Sequence, residues 1–140
     1  MKIILKYIQE MLDDIENVYD DITRQADEHI NQKDIILTFG QSDLLTSFLK
    51  HAHEGGENRK AKDFEVIVCE TAPLFSGHLA AKLLVEAGIR TRLITDSSVY
   101  ALMSRVDKVL ISSQAIMANG GVIAHSGAYQ IALAAKVSKT

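Results

Sequence analysis

The hydrophobic period of this chain changes at Asp34, and that change limits what it can fold into. Before it, apolar residues recur every three or four positions: Ile4, Leu5, Ile8, Met11, Leu12, Ile15, Val18, Tyr19 and Ile22. Such spacing lays one continuous apolar stripe along an α-helix. The opposite face carries Asp13, Asp14, Glu16, Asp20, Asp21 and Arg24, and the pattern predicts a helix reaching Ile30. The stripe needs cover, from this domain or from another chain. From Asp34 onward the signal is a series of short apolar runs. Asp34 to Thr38, Glu65 to Cys69, Arg90 to Thr95 and Lys108 to Ser112 suit buried strands and are too short for helices.

Helical patterns separate these runs. The first holds Leu44, Leu45, Phe48, Leu49 and Ala52. The second holds Leu79, Ala80, Leu83, Leu84 and Ala87, with Gly88 suited to the position just past a helix end. A short third holds Val99, Tyr100, Leu102 and Met103, where Asp96 or Ser97 would act as the cap. His53 to Asp63 is polar, contains Gly55-Gly56 and reads as an exposed loop. Strands alternating with helices require right-handed crossovers and a parallel sheet covered on both faces. The expected fold class is α/β: a Rossmann-like doubly wound parallel sheet preceded by one long helix. Residues 1–31 form the linking amphipathic helix, and residues 32–140 the Rossmann-like domain. No fifth strand follows the last helix, Ile131 to Lys136. The domain is therefore expected to be incomplete at its end, with an open edge prone to association.

Composition excludes several classes. The 140 residues support one domain. The net charge of −3 offers no basic surplus to neutralise phosphates, so no direct nucleic-acid binding is expected. Cys69 is the only cysteine, which rules out an intrachain disulfide and fits a reducing compartment. Lys2, Lys6, Gln9 and Glu10 interrupt the N-terminal apolar positions, which gives neither a leader peptide nor a membrane span. A cytoplasmic (cytosolic) protein is the expectation. His51 and His53, two residues apart, point away from each other on a helix, and neither a metal site nor a cofactor is expected.

In doubly wound sheets, ligands sit at the carboxyl ends of the strands. Here those ends are Thr38 to Ser42, Glu70 to Ser76, Thr95 to Ser98 and Ser112 to Gln114. Gly40-Gln41-Ser42-Asp43 follows the first strand, so the glycine fingerprint of dinucleotide binding is absent. Asn119-Gly120-Gly121 and Gly127 frame a turn into the last helix, a layout that suits an anion; the alternative is that Ser126 caps that helix. Glu70 and Asp96 end two strands and are expected to face one cleft. Each also has a structural reading: Asp96 as a helix cap, and Glu70 as the hydrogen-bond partner that holds the Thr71-Ala72-Pro73 turn. Cys69 reads as a buried structural thiol.

Several segments, taken in order, resemble one known family: Ile35-Ile36-Leu37-Thr38, Val68 to Pro73, Gly88-Ile89, Leu93-Ile94-Thr95-Asp96 and Ala118-Asn119-Gly120-Gly121. They are similar to the C-terminal domain of a family with two branches, and the likeness runs from Glu10 to Thr140. One branch holds sugar-phosphate isomerases. The other holds the regulatory alpha, beta and delta subunits of translation initiation factor 2B. The resemblance implies that the isomerases place a catalytic Cys where this chain has Gly40 and a catalytic Asp where it has Gln114. Their Asn-Lys pair falls at Ala124-His125, and an Arg at Ala72. Isomerisation moves a proton between adjacent sugar carbons and needs an acid and a base. Gly40 has no side chain and Gln114 does not titrate, so no catalytic residue is expected. Gly40, Glu70, Asp96, Gln114, Asn119, Gly120 and Gly127 then outline a vestigial pocket.

Thr38-Phe39-Gly40-Gln41-Ser42, Glu70-Thr71-Ala72-Pro73 and Met103 to Val109 are similar to the beta-type pattern of the regulatory branch. The resemblance implies a regulatory, non-catalytic subunit of the guanine-nucleotide exchange complex for initiation factor 2. Such a subunit scaffolds the complex and helps to sense the phosphorylated factor. Implied partners are delta-type, alpha, gamma and epsilon subunits and initiation factor 2 itself. Gln41, Ser42, Phe75 and His78, after the first two strands, are the implied subunit contacts. Two other readings stand beside this one: a sensor that binds a sugar phosphate or nucleotide at Gly127, and a residual sugar-phosphate isomerase.

Overall fold

β1 (Ile35–Phe39) and β2 (Glu65–Cys69) are apolar on both faces, so each must be covered twice. In the computed structural model, which describes residues 2–55 and 60–140, that is what the helices do. Gly56, part of the loop expected at 53–63, lies outside the described residues. β3 (Arg90–Ile94) and β4 (Lys108–Leu110) complete a parallel four-stranded sheet in the order β3-β2-β1-β4. Alternate side chains feed two separate cores. Ile36, Val66 and Val68 pack with Phe48, Leu49 and Ala52 of α3 (Asp43–Glu54) and with Ala80 and Leu84 of α4 (Ser76–Glu86). Leu37, Phe39, Ile67 and Cys69 point the other way. They meet Val99 of α5 (Val99–Leu102), Met103, and Ile131, Ala134 and Ala135 of α6 (Ala128–Ser138). The sheet is thus doubly wound, as expected.

The N-terminal helix is broken rather than continuous to Ile30. α1 (Lys2–Arg24) ends, a turn at Gln25 intervenes, and α2 (Ala26–His29) follows. The break turns Ala26 and Ile30 into the core, where both are fully buried. The Lys62 ammonium donates to the carbonyls of Asp27 and Ile30, which a helix end otherwise leaves unpaired. The apolar stripe of α1 divides accordingly. Ile22 packs on the core beside α3, and Tyr19 Oη lies 3.1 Å from Ser47 Oγ, whereas Ile4 to Val18 stay exposed.

Two further departures bear on the site. The residues after β4 form an antiparallel hairpin, β5 (Ala115–Ile116) and β6 (Val122–Ile123), with Asn119-Gly120-Gly121 at its turn. Asn119 Oδ1 accepts from the Gly121 amide at 2.9 Å, and Gly120 takes φ +81°, the left-handed conformation such turns need. That turn therefore closes a hairpin and does not run straight into the helix. The short turn Asp96–Ser98 ahead of α5 lacks a side-chain cap, so neither Asp96 nor Ser97 performs the capping expected of it.

Gly77 is the tightest point of the fold. A Cβ there would lie 1.8 Å from the Cys69 carbonyl oxygen, because α4 begins directly on the end of β2. Neither partner can move away, since one is sheet backbone and the other helix backbone. Gly77→Ala should therefore cost at least about 3 kcal/mol in urea unfolding, the upper range for overpacking. Gly120→Ala, with open space around it, should cost only about 1 kcal/mol for its left-handed backbone.

Candidate functional site

The turn between β2 and α4 is built from uncommon backbone. Thr71 has φ +62° and Phe75 φ +52°, a conformation disfavoured for residues with a Cβ and most of all for a β-branched one. The Ala72-Pro73 bond is cis. Asp96, from the end of β3, holds the turn: Oδ1 accepts from the Thr71 amide at 2.9 Å and Oδ2 from the Ala72 amide at 2.8 Å. Thr71 Oγ1 donates back to the Cys69 carbonyl, and the Phe75 amide donates to the Thr71 carbonyl at 2.8 Å. The role expected of Glu70 is thus performed by Asp96. Glu70 takes part through its backbone, donating to Ile94 and accepting from Gly77.

A cleft of about 530 Å³ opens beside this turn, at the carboxyl edge of the sheet. Asp96 and Gly127 both line it, with Phe39, Tyr100, Gln130 and Ile131 around them. None of its lining residues is basic. Part of the N-terminus of α6 is also spent internally. The Ala128 amide donates to the His125 carbonyl and the Gln130 amide to the Gly127 carbonyl, both at 3.0 Å. These are amides that would otherwise point free at an anion. Gly127, not Ser126, stands at the cap position, and it has φ +103°. A Cβ on it would lie 2.6 Å from Phe39 Cζ, so the phenyl ring occupies the approach that a glycine leaves open. No motif announces this plug; its one trace is a glycine following Ser126 ahead of a helical pattern.

The remaining expected pocket residues are not among those lining the cleft. Gly40 ends β1 with φ +76°, and a Cβ there would lie 3.6 Å from Ser76 Oγ and 3.7 Å from Thr71 Oγ1. Gln114 is exposed at the base of the hairpin, its amide donating to Ile123 at 2.7 Å. Asn119 and Gly120 sit at the hairpin tip. Among the expected contact residues, Ser42 caps α3 by accepting from the Leu45 amide, and Gln41 donates to Asp43. Phe75 packs edge-on against His78 with ring centres 5.7 Å apart. Leu74, Phe75 and Leu79 are 80%, 50% and 52% exposed, which makes this corner an apolar surface.

Burial pushes the Cys69 thiol up to about 12, and the nearby carboxylates of Asp96 and Glu70 add to the effect. The group is a neutral packing residue at physiological pH and no nucleophile.

The site is thus a doubly wound domain's cleft lined by no basic residue, with Phe39 packed against the glycine at the helix N-terminus. The chain belongs to the initiation factor 2 subunit family, whose model matches residues 1–140. It is 45% identical over 133 residues to the translation initiation factor eIF2B subunit beta of Dictyostelium discoideum, which covers 95% of this chain and 33% of that protein. It is also 35% identical over 136 residues to the ribose 1,5-bisphosphate isomerase of Archaeoglobus fulgidus, covering 97% of this chain and 42% of the isomerase. Among solved structures, it is similar to a chain of the tetrameric eIF2B-beta2-delta2 complex from C. thermophilum. There the TM-score is 0.79 and the identity 29%, over 96% of this chain and 44% of that one. The chain thus spans about a third of the length of the beta-subunit relative it matches.

Two results should follow. Asp96→Ala leaves the Thr71 and Ala72 amides without their charged acceptor, and should cost about 2–4 kcal/mol in denaturant unfolding. The Cys69 thiol has a folded value near 12 against an ordinary 9.0. Its contribution to stability is complete below pH 9, where both states hold the neutral thiol. It is lost as pH rises from 9 towards 12, where only the unfolded chain ionises. Ellman's reagent at pH 8 should leave the native thiol unmodified and react on unfolding, and Cys69→Ser should flatten the alkaline limb of the stability curve.

Proposed function

We propose that this chain acts as a regulatory, non-catalytic subunit of beta type in the guanine-nucleotide exchange complex for initiation factor 2, in the cytosol. It scaffolds the complex and helps to sense the phosphorylated factor. The observation that carries this reading is the joint likeness to eIF2B beta in sequence and to a chain of a beta-delta assembly in structure. The site supports it. Gly40 and Gln114 stand where the isomerase branch implies a thiol and a carboxylate, and the left-handed backbone at Gly40 favours glycine itself. A sugar phosphate or nucleotide gains little in the cleft, whose lining supplies no cation. Residues 1–31 serve as the link and residues 32–140 as the regulatory domain. Gln41, Ser42, Phe75 and His78 contribute to a face that meets a delta-type subunit, and alpha, gamma and epsilon subunits complete the assembly.

Energetically, that contact should centre on the exposed Leu74-Phe75-Leu79 corner. Co-expression with a delta-type subunit should give a complex that survives size exclusion. Phe75→Asp should weaken it by at least about 2 kcal/mol, the scale of an interface anchor, without changing the unfolding midpoint of the isolated chain. Failure of the two chains to co-purify contradicts the reading.

A further inference from the structure

Of the four asparagines in the chain, Asn119 alone is followed by glycine. It lies at the exposed tip of the β5–β6 hairpin. An asparagine is lost without any enzyme when the amide nitrogen of the next residue attacks its side-chain carbonyl carbon. A side chain on that next residue obstructs the attack, and glycine has none. Gly120 also stands in open space, since a Cβ built on it would meet no atom within 4 Å. The carbonyl under attack is held in a favourable state. The Gly121 amide donates to Asn119 Oδ1 at 2.9 Å. That oxygen gains negative charge as the neighbouring carbon is attacked, and a fixed N–H donor stabilises such charge.

The nucleophile, in contrast, is restrained. The Gly120 amide donates to the Met117 carbonyl at 2.9 Å and must leave that bond before it attacks. Little resists the opening. β5 and β6 pair over two residues each, and Ala115, Ile116, Val122 and Ile123 are all exposed, so no burial holds the hairpin shut. A two-stranded hairpin is marginal by itself, and such segments open at far lower cost than the whole domain unfolds. We propose that Asn119 is a site of spontaneous covalent modification, converted in the folded chain to aspartate and isoaspartate through local opening of the hairpin. Hydroxide removes the Gly120 amide proton, and the nitrogen forms a bond to Asn119 Cγ. The Cγ–Nδ2 bond breaks, and the leaving nitrogen takes a proton from water and departs as ammonia. Water then adds to one carbonyl of the cyclic imide and cleaves its C–N bond. Cleavage at Cγ yields aspartate, and cleavage at the backbone carbonyl yields isoaspartate. Water is the sole reactant consumed, and nothing is oxidised or reduced. Either product adds a negative charge at the hairpin tip. Isoaspartate also lengthens the backbone by one carbon between Met117 and Gly121, whose backbone bond closes the turn.

The test is to age the native 140-residue chain for weeks at pH 7 and pH 8, then digest it with trypsin and weigh the peptides. The peptide covering residues 109–136 should gain the mass difference between an amide and an acid. It should separate into two products, one of which accepts a methyl group from a protein isoaspartate methyltransferase. Conversion should run about tenfold faster at pH 8 than at pH 7, because the attacking nitrogen must first lose its proton. Peptides carrying Asn17 and Asn31 should stay unmodified in the same samples. Gly120→Ala should slow conversion by at least about tenfold while circular dichroism shows the chain still folded. Asn119 left intact in the native chain overturns the proposal, even where a urea-unfolded sample converts, since the hairpin would then protect the residue. Conversion of Asn17 or Asn31 at the same rate also overturns it, because the geometry of the tip would then play no part.

Discussion

The contact between Gly77 and the carbonyl end of β2 sets the geometry of everything at the functional edge of this domain. Because no Cβ intervenes, the first turn of α4 stands directly on Cys69. The chain must then pass from strand to helix within a few residues, and it does so through left-handed backbone at Thr71 and Phe75. Strain of this kind persists only where the surroundings over-determine it. Asp96 provides that determination from the neighbouring strand by accepting both amides of the turn. One close approach thus forces a strained turn, the turn recruits a carboxylate, and the carboxylate is withdrawn from any chemistry in the cleft. The same turn carries Leu74 and Phe75 out to solvent, so the strain that spends the carboxylate also builds the apolar corner.

A comparable exchange took place at α6. A helix N-terminus at the carboxyl edge of a parallel sheet is a ready site for anions. In this chain the free amides turn back onto His125 and Gly127, and the Phe39 ring packs where the backbone is bare. The features that suggested a phosphate pocket are present, but Asp96, Gly127 and two of the helix amides are engaged in packing or hydrogen bonding. Among the exposed residues, two apolar areas stand out: the stripe of α1 and the corner around Phe75. Exposed apolar areas of this kind are suited to contact with other surfaces.

The sheet and its helices were legible because period and length report burial directly. Ile35-Ile36-Leu37 and Val66 to Cys69 are apolar on consecutive residues and too short for a helix, which suits a strand covered on both faces. The break at Gln25 was not legible, because the residues on either side continue the helical period and the reason for the break, Lys62, lies far along the chain. The hairpin was missed for a related reason. Ala115-Ile116 and Val122-Ile123 are too short to show alternation, and the glycine turn between them also suits a helix lead-in. At the site, the glycines stand out in the sequence but the reasons for them do not. Whether a glycine serves a ligand or a neighbouring ring is decided by what stands 3 Å away. For Gly127 that neighbour is Phe39, 88 positions earlier in the chain (127 − 39).

The central claim of the proposed function is that the cleft at the carboxyl edge carries out no isomerisation of a sugar phosphate. Proton NMR of the chain incubated with ribose 1,5-bisphosphate in deuterium oxide tests it most directly. Proton transfer between adjacent sugar carbons would exchange a carbon-bound proton for deuterium even if net product were slight. The account predicts no exchange above the protein-free control over days. Deuterium incorporation that depends on the protein would contradict it.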